Sequence, residues 1–228
     1  MRILYIVIYI LILFINFSFG SNTRNIDNKA ELFQQDLLKD PQGYFDEEYD
    51  YINFSFLEKA PIFIAPKLTG GVFFSSDFVG DINKNKKLKR KYDLYGKDPR
   101  KYLVISFFAS YCKPCRKEIP ELLEFQKKIL SERDDIQVVL ISMDKTKTDA
   151  INFINSNFGD LSPIIILWSP LNNSKAPAKL FNVNVVPTLI ILNKDGKILL
   201  EHQGYKEGFP LKDAIEYIIE KYENEYER

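Results

Sequence analysis

The chain has little sulfur and almost no imidazole: two cysteines, two methionines and one histidine among 228 residues. His202 and two cysteines cannot supply the four ligands, mostly Cys and His, that a structural zinc site usually takes. Nor do two cysteines make a disulfide framework for a domain of this length. Charge of neither sign is in excess, Lys plus Arg and Asp plus Glu both standing at 31. That balance gives no electrostatic reason to expect nucleic acid as a partner. No internal repeat is visible.

What is present starts with an apolar stretch. Met1-Arg2 carries one positive charge, Ile3 to Ile15 is unbroken apolar sequence, and Ser18-Phe19-Gly20 places small residues where a signal peptidase cuts. This is the pattern of a secretory signal. Residues 1–20 are therefore expected to be a signal peptide, and the protein to be exported to a periplasmic or other extracytoplasmic space. The competing reading is an uncleaved membrane anchor. Ile3 to Phe19 is 17 residues, interrupted by Asn16 and Ser18, whereas a spanning helix takes about 20. No cysteine follows the apolar stretch, which excludes a lipoprotein anchor. Residues 21–58 read as a polar leader, with eight acidic residues and two lysines between Ile26 and Asp50.

From residue 59 to 228 the pattern is that of one domain. Ile62 to Pro66 and Val72 to Phe74 are short strands around the turn Thr69-Gly70-Gly71. Residues 81–101 carry nine Lys or Arg against three Asp and few apolar residues, and read as an inserted basic loop. Tyr102 to Phe108 and Ile136 to Met143 are apolar runs of strand length, as expected for strands buried on both faces. Helical periodicity follows each, over Cys115 to Leu130 and Thr146 to Phe158. A third strand is expected at Ile164 to Trp168 and a short helix at Ser174 to Phe181. A hairpin, Thr188 to Leu192 and Lys197 to His202, turns at Asn193-Lys194-Asp195-Gly196. A last amphipathic helix begins at Pro210. Strands alternating with helices imply an α/β layered domain with a mixed sheet.

The two cysteines lie together in Ser110-Tyr111-Cys112-Lys113-Pro114-Cys115, between a buried strand and a helix. A bridge closing so short a loop removes little chain entropy, so it is poorly suited to stabilisation. It is well suited to exchange. A helix N-terminus offers unsatisfied N–H groups and partial positive charge, which lower the pKa of a cysteine placed there. Cys112 is expected to attack a substrate disulfide, and Cys115, one turn further in, to resolve the mixed disulfide. No metal and no cofactor beyond the two thiols is called for.

The segment from Phe107 to Pro120 resembles the active-site segment of exported thioredoxin-like thiol–disulfide oxidoreductases of the TlpA/ResA type. Ala60-Pro61-x-Phe63, Thr69-Gly70-Gly71 and Ser75-Ser76-Asp77-Phe78-x-Gly80 resemble that family's N-terminal hairpin. Val185-Val186-Pro187-Thr188 resembles its cis-proline segment, and Asp195-Gly196-Lys197 its closing turn. The resemblance covers about Ala60 to Tyr222. It implies a thioredoxin-like fold, with a mixed central sheet flanked by helices. It also implies a cis bond before Pro187, with Val186 offering its backbone to an incoming peptide, and Tyr111 flanking the site. Glu118 matches the position of a carboxylate near the thiols, able to hold or relay the proton of Cys115. Partners would be client proteins with disulfides, as in cytochrome c maturation, and a membrane thiol donor, with membrane association through residues 3–19 an option. Two departures stand out. Tyr111 and Phe108 replace the usual tryptophans, and Ser106 stands where thioredoxins bury an aspartate.

The expected activity is reduction of protein disulfides. A disulfide-donating oxidase on the same fold is one alternative. A non-catalytic thioredoxin-fold binding module using the basic segment is the other.

Overall fold

The computed structural model describes residues 57–226 apart from 171 and 207. The expected signal segment 1–20, and the leader up to residue 56, lie outside the described residues. Among the described residues no helix is long and apolar enough to cross a membrane.

A hairpin opens the domain. Strands β1 (Ile64–Pro66) and β2 (Val72–Phe74) pair antiparallel, with Ile64 opposite Phe74. The turn between them needs positive φ at Gly70 and Gly71, 101° and 77°, which glycine adopts without steric cost. A five-stranded sheet follows, built from β3 (Tyr102–Phe108), β4 (Ile136–Ser142), β5 (Ile165–Trp168), β6 (Thr188–Leu192) and β7 (Ile198–Gln203). Its order is β5-β4-β3-β6-β7, with β3, β4 and β5 parallel, β6 antiparallel to β3 and β7 antiparallel to β6.

Strand β3 is the centre, and all seven of its residues are buried. Side chains alternate between its two faces. Leu103, Ile105 and Phe107 point to the hairpin side, where they join Phe63, Phe73 and Phe181 in one core cluster. The rings of Phe63 and Phe107 both pack against Phe181, with centroids 5.7 and 6.0 Å apart. Each such buried side chain contributes about 1.5–3 kcal/mol. The opposite face carries the crossover helices. Crossovers β3–β4 and β4–β5 run in the same direction across the sheet, so right-handedness puts their helices on one side. Phe108, on that side, stacks on Phe153 at 5.8 Å.

One expectation is corrected. Residues 81–101 are not a loop throughout, because helix α1 spans Lys86–Tyr95. Asn85 caps it by accepting the N–H groups of Lys87 and Leu88, and Leu88 is its one buried side chain. Gly96 ends it in the left-handed region, φ 64°. The density of lysine suggested a solvated loop, but a cap at each end and one inward leucine suffice to hold a helix against the domain. The remaining helices are α2 (Cys115–Glu132), α3 (Lys147–Asn157), α4 (Pro177–Leu180) and α5 (Leu211–Tyr226). Helix α2 runs through Pro120 without ending there.

Candidate active site

The carboxyl ends of parallel strands are where α/β folds gather their chemistry, and here β3 ends at Phe108. The chain then makes a short turn, in which Cys112 N–H donates to the Ala109 carbonyl at 3.0 Å. Helix α2 starts at Cys115. Cys112 and Cys115 form a disulfide, with S–S 2.01 Å and Cα–Cα 5.4 Å. The Cys115 N–H donates to Cys112 Sγ at 3.2 Å. When the bridge is reduced, this N–H and the rest of the helix start face the Cys112 sulfur and favour its thiolate. The sulfurs differ in access: Cys112 is 5% exposed and Cys115 not at all. Tyr111, beside them, is 74% exposed and forms an open aromatic lip.

Glu118 follows one turn into α2, on the face that carries Cys115. It is almost wholly buried. Burial pushes its carboxyl up to about 8; the neighbouring Ser106 hydroxyl opposes this and the charge of Glu121 reinforces it. Ser106 Oγ and Glu118 Oε2 are both buried without a hydrogen-bond partner. The two lie near each other but are not aligned for a bond. At neutral pH in this disulfide form, Glu118 is a neutral acid held in an apolar site.

The Val186–Pro187 peptide is cis. Because Thr188 pairs with Phe107 across the β3–β6 ladder, Pro187 lies beside the end of β3. The Pro187 carbonyl accepts the Gly204 N–H at 2.8 Å, and the Thr188 hydroxyl donates to the Val185 carbonyl at 2.7 Å. The N–H and carbonyl of Val186 itself are engaged by no other described residue. Val185, next to it, is half exposed.

Sequence reasoning missed Asp144. It follows β4, whose last residue, Ser142, pairs with Phe108. It is a buried carboxylate, 3% exposed. Ser110 donates to it through both its N–H and its hydroxyl, at 2.9 and 2.6 Å. The available signal was its position: an acid at the carboxyl end of a buried parallel strand, next to the strand that leads into the cysteines. Trp168, the last residue of β5, is half-buried and donates its Nε1–H to the Asp144 carbonyl oxygen at 2.9 Å. His202 stacks on Phe209, with centroids 6.2 Å apart, on β7. Among the described residues no group of His, Cys, Asp and Glu is placed to hold a metal ion.

Comparison with known proteins adds to this geometry. Residues 99–198, which include the cysteine pair, match the family model described as thioredoxin-like. The chain carries a thioredoxin-like domain. The thiol–disulfide oxidoreductase ResA of Bacillus cereus is 25% identical over 178 residues, covering 78% of this chain and 84% of that protein. Tryparedoxin of Trypanosoma brucei brucei is 32% identical over 104 residues, 46% of this chain and 69% of its own. A solved Chlorobium tepidum chain assigned as the thiol:disulfide interchange protein DsbE superposes with a TM-score of 0.55 at 25% identity, covering 74% of this chain and 98% of that one. This thioredoxin-like domain is a thiol–disulfide oxidoreductase, with Cys112 and Cys115 as its CxxC pair.

Proposed function

We propose that the chain reduces disulfides of client proteins in an exported compartment, and that a membrane-embedded thiol donor re-reduces it. The observation that carries this reading is the asymmetry of the pair. Cys112 reaches the surface at a helix start beside an open aromatic lip, while Cys115 is closed off next to a buried acid.

The cycle follows from that asymmetry. The Cys112 thiolate attacks one sulfur of the client disulfide, forming a mixed disulfide and expelling one client thiolate. Cys115 gives its proton to Glu118 in the fraction of molecules whose carboxyl, pushed up to about 8, is ionised, and attacks Cys112 Sγ. The second client thiolate leaves, two electrons have passed to the client, and the Cys112–Cys115 bridge remains. The Cys112–Cys115 disulfide is that end state, and a carboxyl pushed up to about 8 by burial supports Glu118 as the holder of the proton. The unengaged backbone of Val186 supports its role in pairing with the client strand, and Tyr111 and Val185 flank it with exposed apolar surface. Export rests on the signal-like residues 1–20.

The test is insulin-disulfide reduction together with the potential of the pair. Cys112→Ser should abolish reduction, and Cys115→Ser should accumulate mixed disulfides. A potential well below that of glutathione fits a reductase. A potential near that of the strong oxidants would reverse the direction, and full activity of Cys112→Ser would overturn the assignment.

A further inference from the structure

Asp144 has no cation within ion-pair distance among the described residues, yet it is buried as deeply as the core around it. An ionised carboxylate out of water is costly unless hydrogen bonds replace its hydration. Here three donors do so. The Ser110 N–H reaches both oxygens, at 2.9 and 3.2 Å. The Ser110 hydroxyl donates to Oδ1 at 2.6 Å, and the Ser142 hydroxyl to Oδ2 at 2.9 Å. The backbone of Asp144 is fixed as well. Its N–H donates to Ser142 Oγ at 3.1 Å, and its carbonyl accepts Trp168 Nε1–H at 2.9 Å. The carboxylate thus joins the ends of β3 and β4, and its backbone adds the end of β5.

Two of those three donors belong to Ser110, which stands two residues before Cys112. Ser110 is held from its other side too. Arg116 donates to the Ser110 carbonyl at 3.4 Å and to Asn157 Oδ1 at 2.8 Å, with its guanidinium 5.2 Å from the centre of the Phe153 ring. Both peptide groups of Ser110 are therefore fixed by residues of other elements. The turn that follows is tied from Cys112 N–H to the Ala109 carbonyl and from Cys115 N–H to Cys112 Sγ. Whatever fixes Ser110 fixes the approach to Cys112.

We propose that Asp144 is a positioning residue for the redox pair, and that it keeps the pair reducing. This rests on the oxidoreductase reading and extends it to a residue outside the CxxC segment. Two physical effects act in the same direction. Clamping Ser110 pre-organises the turn in the shape seen with the bridge closed, so the disulfide form is favoured over the looser dithiol. A carboxylate bonded to Ser110, two residues before Cys112, also disfavours a negative charge on that sulfur, so the reduced thiolate form is held less stable. Both make the pair a better electron donor.

The experiment equilibrates the wild-type protein, Asp144→Asn and Ser110→Ala with glutathione redox buffers. It also follows insulin reduction and the melting of each oxidised form. Asp144→Asn keeps an acceptor for Ser110 but removes the charge. Its equilibrium should shift about tenfold toward the dithiol, which is about 30 mV for this two-electron couple. Its kcat for insulin should fall several-fold with KM little changed, since no substrate contact is lost. Ser110→Ala, which removes one bond and leaves the charge, should shift the equilibrium the same way by less. An Asp144→Asn protein that melts earlier but equilibrates within twofold of wild type would overturn the proposal, leaving Asp144 as ordinary scaffolding. If Asp144→Asn does not fold, Ser110→Ala decides on the same criterion. Failure of the wild-type protein to exchange with glutathione or insulin would strike the oxidoreductase reading itself, a result separate from either variant's.

Discussion

The two ends of β3 handle charge in opposite ways. At its start, a cluster of charges is paired with opposite partners. Arg133 binds Asp135 at 2.6 Å and Glu223 at 3.0 Å, Lys194 binds Asp135 at 2.8 Å, and Arg133 and Lys194 lie 5.7 and 5.0 Å from the centre of the Tyr102 ring. Burial alone would raise the Asp135 carboxyl, but the bonds from Arg133 and Lys194 outweigh it and hold it far below the ordinary carboxylate range. At the other end, beside the disulfide, Asp144 is satisfied by neutral donors only, and Glu118 Oε2 has no partner at all. Charges fixed by counter-ions cannot change state in the working range and so only stabilise. Glu118, left without a counter-ion and pushed up to about 8 by burial, titrates near neutrality, which is what proton transfer to and from a thiol requires.

The largest effect expected from disturbing this contrast comes from Glu118→Gln. It removes the proton acceptor for Cys115 and should slow resolution of the mixed disulfide by about 10²-fold, read as a build-up of mixed disulfide with insulin or a model peptide. The same variant has a stability signature. The Glu118 carboxyl rises from 4.5 to about 8 in the fold, so the native protein binds the extra proton between those values. The corresponding stability is full below about 4.5, declines as pH rises, and is gone above about 8. Each pH unit in that window costs about 1.4 kcal/mol. Melting of the oxidised wild type should therefore fall with pH across the window while that of the Gln variant stays flatter. Parallel curves would show that Glu118 is ionised without penalty and would end its role as a neutral acid.

The next effect belongs to the other end of β3. Asp135→Asn should cost about 1–2 kcal/mol at neutral pH, since its ion pairs are partly open to solvent. It should leave disulfide exchange unchanged. Its folded carboxyl is depressed from 3.8, so the stability it gives is present above that value and lost as pH falls further. The gap between wild type and variant should then close in acid, as followed by urea unfolding. A loss of exchange activity in Asp135→Asn would show that the two ends of β3 are not functionally separate. The smallest effect should come from Lys194→Ala, at most about 1 kcal/mol in the same unfolding assay, because Arg133 still holds Asp135.

How much of this was legible in the sequence depended on range. The strand before the cysteines was read to the residue at Tyr102–Phe108, because a largely apolar run of strand length ended just before a two-cysteine spacing. The cis bond at Pro187 was legible only through resemblance, since nothing in the local residues demands it. Glu118 too was placed through the resemblance, and helical spacing agrees by carrying it to the face of Cys115. Asp144 could not, because its partner Ser110 is 34 residues away and only the β3–β4 register brings them together. The clasp of Arg133, Asp135, Lys194 and Glu223 was hidden for the same reason, its pairs spanning up to 90 residues. Helix α1 was lost for a different one. Its lysines outweighed the quieter signals of Asn85, Leu88 and Gly96, which are short-range and were open to reading.

The central claim is that one sulfur of the pair works outward and the other inward. Alkylation of the reduced protein with iodoacetamide, as a function of pH and resolved peptide by peptide, addresses it most directly. Cys112 should react well below the pH of about 8.5 at which an ordinary cysteine is half ionised, and Cys115 should stay protected until well above it. Equal reaction of the two, or earlier reaction of Cys115, would contradict the account.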